Sequence, residues 1–194
     1  INSLWGLVYP EIMGDFVQSL MQYYKDGGMI PRGPSGGNDT FVMTGASTTP
    51  FIVSAIQKGI ITEDLETIYT AVKKNHMPNG IMGKAGYEHS TNSGGGLKYY
   101  ISNGFVPYPL PEGEFGSHQD GASQTLEYAY QDWTLAQLAQ KLNHQDDYNY
   151  FLARSKNYQN IFDTAQGWMR PKNVSGKWLE NFDPYKYENG FIES

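Results

Sequence analysis

Residues 122–142, ASQTLEYAYQDWTLAQLAQKL, constrain the fold more than any other stretch of this chain. Leu126, Ala129, Tyr130, Trp133, Ala136 and Leu138 recur mostly three and four positions apart, which lays a wide apolar band along one side of a helix. The Ala, Gln and Leu of the second half are strong helix formers. Asp120 or Ser123 can cap the start, and Asn143 ends the run. Asp146 and Asp147 then open a second helix with their charge favourably placed against its dipole. Tyr150, Phe151, Arg154, Tyr158, Ile161 and Phe162 carry that helix to about Asp163. Two helices joined by a short polar turn pack antiparallel. Glu127 and Asp132, in the aromatic half of the first helix, either point into a cavity or are ordinary solvated acids.

The upstream chain repeats this theme. In residues 8–25, Ile12, Phe16, Leu20 and Tyr23 or Tyr24 form a helical stripe, Pro10 suits the first turn, and Gly27-Gly28 stops the helix. Residues 26–40, DGGMIPRGPSGGNDT, hold too much Gly and Pro for regular structure. They form a linker or a wall where backbone approaches a ligand. Pro50 favours a helix starting near Thr48 or Thr49, and Thr62 is the expected N-cap of a helix to about Lys74 with Leu65, Ile68, Tyr69 and Val72 buried. From Asn75 to Gly121 the chain is irregular, with Tyr99-Tyr100-Ile101 as a short strand. His89 and His118 lack a metal-ligand partner at helical spacing. The fold class is therefore all-α: helical hairpins with short turns at one end and long loops at the other. Such pairs leave apolar faces open for neighbours.

Composition narrows the partners. The formal charge of −6 and the absence of a basic stripe exclude nucleic acid, whose phosphates need clustered Lys and Arg. No apolar run approaches the roughly 18 residues of a membrane span. Without Cys there are neither disulfides nor thiolate chemistry. Charged residues make up 18%, below the usual roughly 25%, while Tyr reaches 15 and Trp 4. Such a surface suits carbohydrate, because ring faces stack on sugar C–H faces while amides and carboxylates bind hydroxyls.

Five ordered motifs sharpen this: ASQTLEYAYQDW at 122–133, YFLARSKNYQNIFD at 150–163, GWMRP at 167–171, FDP at 182–184 and GFIES at 190–194. Together with PEIMGDFVQSLMQYYKDGGMIPRGPSGGND near the N-terminus, they resemble glycoside hydrolase family 92, the exo-acting α-mannosidases, chiefly α-1,2-mannosidases. The resemblance spans nearly the whole chain. It implies that residues 1–194 are part of an (α/α)6-barrel catalytic domain, with a β-sandwich before them and the rest of the same polypeptide after them. It further implies an inverting, Ca2+-dependent mannosidase acting on mannose-containing glycans, periplasmic or secreted. Glu193 takes the family's general-acid role. Gly37, Asn38 and Asp39 stand where the family usually has Gly-Asn-Glu and contacts substrate, with Pro34-Ser35 where a tryptophan often precedes it.

The catalytic base and most Ca2+ ligands are expected beyond this segment, so the segment alone should neither turn over substrate nor bind Ca2+ tightly. Two other readings stand beside the enzyme: a non-catalytic helical glycan-binding protein, and a degenerate family member that binds without cleaving. The order of the motifs favours the enzyme.

Overall fold

The computed structural model describes residues 2–33, 44–84, 96–111, 120–186 and 189–191. Seven helices run through those residues: α1 Asn2–Val8, α2 Pro10–Gly27, α3 Thr48–Gln57, α4 Leu65–Asn75, α5 Leu97–Asn103, α6 Gly121–Lys141 and α7 Gln145–Arg154. A 3₁₀ segment, Ser155–Ile161, extends α7, and a two-residue antiparallel ribbon follows, β1 Phe162–Asp163 with β2 Trp168–Met169. The all-α expectation holds.

The central helix is α6. Its buried residues include Tyr128, Ala129, Gln131, Asp132, Leu135, Ala136, Leu138 and Ala139, so it is covered on more than one side. Leu135, Leu138 and Phe151 join Met13, Val17, Ile52, Ile56, Ile68 and Val72 in one core shared by five helices. The predicted band on α6 needs correction. Tyr130 and Trp133 lie 56% and 48% exposed, and buried Gln131 and Asp132 take the inner side. The polar pair is tolerated there because each side chain is hydrogen-bonded.

Chain direction alternates, and this sorts the connections. Residues 58–64 link α3 to α4, and 142–144 link α6 to α7, at one end of the helices. At the opposite end α2, α4 and α7 finish and α3 begins. There the Asn75 amide at the end of α4 donates to the Ile30 carbonyl at 2.7 Å, just past the end of α2. At that same end, Thr49 at the start of α3 meets His76 at 2.9 Å, and Arg154 at the end of α7 donates to the His76 carbonyl at 3.2 Å.

Several local expectations shift. The stripe of α2 is displaced: Met13, Val17, Leu20 and Met21 are buried, while Ile12 and Phe16 are exposed. Phe16 instead packs in an aromatic edge with Trp5 of α1 at 4.8 Å and Phe51 at 6.5 Å. Gly28 does close α2, its N–H reaching the Tyr24 carbonyl. Asp64, not Thr62, precedes α4, and no side chain caps that helix. Tyr99-Tyr100-Ile101 is helical, within α5, because Tyr100 is drawn inward to polar partners on α6 and α7. The second long helix ends at Arg154 instead of Asp163, where the chain tightens to 3₁₀ geometry and then pairs as β1.

Candidate functional site

The site can be built at the end where α2, α4 and α7 finish. Gly37, Asn38, Asp39 and Glu193 lie outside the described residues, as do His89 and His118. The Ala122 N–H, in the first turn of α6, donates to the Gly190 carbonyl at 3.0 Å. Gly190 sits so close to Pro171 that an added Cβ would lie 2.5 Å from the proline Cγ. Phe191 packs with Met169 and Leu126 against Phe105, Ala122 and Ile161. The chain leading to Glu193 is thus pinned to the start of α6 and to the GWMRP turn.

On the same end, α6 presents Glu127 and Gln131, one helical turn apart. The Gln131 Nε2 donates to Glu127 Oε2 at 2.7 Å, and Gln131 Oε1 accepts the Ala46 N–H at 2.7 Å. Gly45 precedes that contact with φ of 79°, and a Cβ there would lie 2.7 Å from the Gln131 amide. Glycine is needed on both counts. Glu127 is exposed, yet partial desolvation raises its pKa above the ordinary glutamate value, against the opposing effects of the Gln131 amide and the Arg32 charge. Arg32 in turn lines a cleft of about 330 Å³ with Phe16, Tyr23, Ser47 and Phe51. Glu127 and Gln131 do not line that cleft themselves, but the Arg32 charge acts on Glu127. A carboxylate and an amide on α6 can accept from and donate to the hydroxyls of a ligand, and the cleft beside Arg32 offers aromatic walls. A larger cleft, about 730 Å³, lies between α2 and the α3–α4 turn, away from these groups.

Beneath this surface lies a buried polar network. Asp132 is fully buried and accepts from Arg154 Nε at 2.8 Å, Arg154 Nη2 at 2.9 Å and Tyr100 Oη at 3.1 Å. His76 Nδ1 lies 2.8 Å from the same carboxylate, and His76 Nε2 lies 2.9 Å from Thr49 Oγ1. Burial lowers the pKa of His76 despite the Asp132 partner, so its ring is neutral. An ionised carboxylate only accepts, so Nδ1 carries the proton and Nε2 accepts from Thr49. Asp132 is therefore neither a cavity acid nor a solvated one. It ties α3, α4, α5, α6 and α7 together under the site.

Sequence reading missed this network. His76 and Thr49 drew no notice as polar partners, and Arg154 registered only as part of a stripe. Their partners lie 22 to 56 residues away, at no helical spacing. Asp147 was read as a helix-start charge and does occupy the first turn of α7. It also takes hydrogen bonds from Lys73 and Tyr69. Burial opposes its ionisation, but those two bonds together with the charges of Lys73 and His144 outweigh burial and lower its pKa.

The His76 environment fixes a pH dependence. Its folded pKa lies below the ordinary value of 6.5. Between those two values the unfolded chain binds a proton that the folded chain refuses, so stability falls as pH is lowered through about 6.5 and levels off below the folded value. One proton contributes a slope of at most about 1.4 kcal/mol per pH unit. Urea midpoints between pH 7.5 and 5 should show this slope in the wild type and a shallower one in His76→Gln. Equal slopes would mean that His76 titrates normally.

Comparison with known proteins matches the motifs to a family. The model of the glycosyl hydrolase family 92 catalytic domain matches residues 1–194. A family GH92 inverting mannosidase from Bacteroides thetaiotaomicron VPI-5482 superposes with a TM-score of 0.82 at 29% identity, covering 99% of this chain and 24% of that one. A family GH92 alpha-mannosidase from Bacteroides thetaiotaomicron gives 0.80 at 30% identity, covering 99% of this chain and 24% of that one. Its complex with mannoimidazole gives 0.77 at 30% identity, over 94% and 22%. No curated protein matches. The chain thus spans about a quarter of the length of these structures. The match over all 194 residues places the chain in glycosyl hydrolase family 92, within its catalytic domain.

Proposed function

We propose that this chain is part of an inverting α-mannosidase that removes terminal α-linked mannose, α-1,2-linked for preference, from glycans. The observation that carries the reading is the family match along the entire chain, with mannosidases as structural neighbours. Glu193 is the general acid in this reading. A carboxylic acid must protonate the departing glycosidic oxygen, and an inverting enzyme needs a second carboxylate to activate water from the opposite face, the pair about 6.5–9.5 Å apart. That second group, the closing helices of an (α/α)6 barrel and a β-sandwich belong to the rest of a longer polypeptide. Gly37, Asn38 and Asp39 join Glu127 and Gln131 as groups for sugar hydroxyls. Location in the periplasm or outside the cell fits a glycan substrate.

Ca2+ is part of the proposal, but the described residues do not build its cage. Among them no three Asp, Glu or His side chains converge, and Asp132 and Asp163 are already taken by Arg154 and Arg170. Ca2+ takes six to eight oxygens, so most of its ligands come from outside these residues.

The test follows the full-length enzyme on α-1,2-mannobiose by proton NMR. The first mannose released should be the β-anomer, and a Ca2+ chelator should abolish release. Initial α-anomer would overturn inversion. Activity indifferent to chelation would overturn the Ca2+ requirement, and an absence of hydrolysis would leave the binding-protein reading standing.

A further inference from the structure

We propose that the groove between α6 and α7 seats the next helix of the same polypeptide, a helix that follows Ser194 and runs parallel to α6. This rests on the family reading, in which residues 1–194 are one part of a longer chain. The groove measures about 500 Å³. Half-buried Leu126 and Leu152 and buried Ala129 form its floor, and Tyr130, Trp133 and Tyr158 stand around it. These three rings are 56%, 48% and 40% exposed, although the helices that carry them are well packed on their other sides.

Shape and chemistry point to a helix as occupant. Leu126, Ala129, Tyr130 and Trp133 are three or four positions apart in pairs, so they share one face of α6. Leu152 and Tyr158 come from α7 and its 3₁₀ extension, which makes the groove a seam between two elements. The small Ala129 among larger side chains leaves a hole that a knob from a facing helix fills. Single exposed rings are ordinary, whereas a contiguous apolar groove marks a contact surface. A sugar is poorly served there. Neither a carboxylate nor an amide lines the groove, and Ser155 Oγ already donates to the Leu152 carbonyl at 2.8 Å.

The path of the chain selects which helix. The Gly190 carbonyl accepts the Ala122 N–H at 3.0 Å, in the first turn of α6. Phe191 packs on the same small cluster of Phe105, Ala122 and Ile161 as Leu126, which lines the groove at the α6 N-terminal side. The chain therefore arrives beside that end of the groove, and a segment continuing along it runs in the direction of α6. The solved mannosidases are long enough to supply one, since this chain covers 24% of each. A tethered segment also outcompetes a second copy, because a short linker gives an effective concentration in the millimolar range.

The experiment uses the full-length enzyme with Tyr130→p-benzoylphenylalanine and, separately, Trp133→p-benzoylphenylalanine, and maps the photo-cross-linked peptide by mass spectrometry. Both positions should join a peptide from the stretch after Ser194 within one polypeptide, with no dimer band on a denaturing gel. In the unsubstituted enzyme, hydroxyl radicals should oxidise Tyr130 as slowly as Tyr128, whose side chain is fully buried. A peptide from before Ile1, a dimer band, a cross-link only to added mannan, no cross-link at all, or fast oxidation of Tyr130 would each overturn the proposal. Hydrolysis of α-1,2-mannobiose by the same variants reads the enzyme separately. Activity without the cross-link removes the helix seat and keeps the mannosidase, and the cross-link without activity does the reverse.

Discussion

Asp132→Ala should destabilise the protein by about 3–5 kcal/mol, the cost of leaving a buried charge without its partner. Arg154 keeps a fixed charge, and its side chain is 7% exposed beside a fully buried carboxylate. Burial works against that charge, and Asp132 together with Tyr150 and Tyr100 more than offsets the effect, raising the pKa of Arg154. Tyr100 and His76 lose an acceptor in the same step. In a domain of this size each kcal/mol moves the melting temperature by roughly 2–4 °C, so a drop of about 10 °C is expected. Adding Arg154→Met should restore part of it, because removing both charges also removes the desolvation cost. A drop under about 2 °C would show that water reaches the pair and that the network does not hold the helices together.

That network marks the boundary of what local sequence patterns reveal. The α6 helix was legible because apolar spacing, helix formers and the Asn143 stop agree over more than five turns. The α3–α4 and α6–α7 hairpins were legible because both connections are short, the first turning at Gly59 and the second at Asn143. Patterns failed where tertiary contacts override them. Ile12 and Phe16 have helical spacing, but Trp5 and Phe51 draw Phe16 into an aromatic edge and leave the deeper stripe to Met13 and Val17. Tyr99-Tyr100-Ile101 has strand composition, yet Tyr100 is held as helix by the Asp132 carboxylate and the Arg154 carbonyl. Tyr130 and Trp133 complete an apolar band on paper. In the fold they face outward, with ring centroids 6.5 Å apart.

The candidate site was legible in a different way. Glu193 and the 37–39 loop came from ordered motifs, not from spacing, and both lie outside the described residues. Glu127 drew attention as an acid among aromatic residues, but Gln131 did not, since glutamine is an unremarkable helix former. A Glu and a Gln four residues apart are neighbours on a helix surface, and that was the available signal. Arg32 carried none, because its place beside the cleft depends on how the chain leaves α2.

Glu193→Gln should abolish most turnover of natural linkages in the full-length enzyme. Gln keeps the shape and hydrogen bonding of Glu but has no proton to give, and general acid catalysis contributes about 10²–10⁴-fold. Mannose binding, followed by calorimetry with an inhibitor, should change little. The cost should depend on the leaving group, because an activated phenolate departs without protonation while a sugar alkoxide does not.

The most direct test is therefore the ratio of rate losses caused by Glu193→Gln on α-1,2-mannobiose and on an activated aryl α-mannoside. If Glu193 is the acid, the disaccharide should lose about 10²–10⁴-fold in kcat and the aryl mannoside at least tenfold less. Equal losses on the two substrates, or no loss on either, would contradict the assignment and leave Glu193 as a residue that packs or binds.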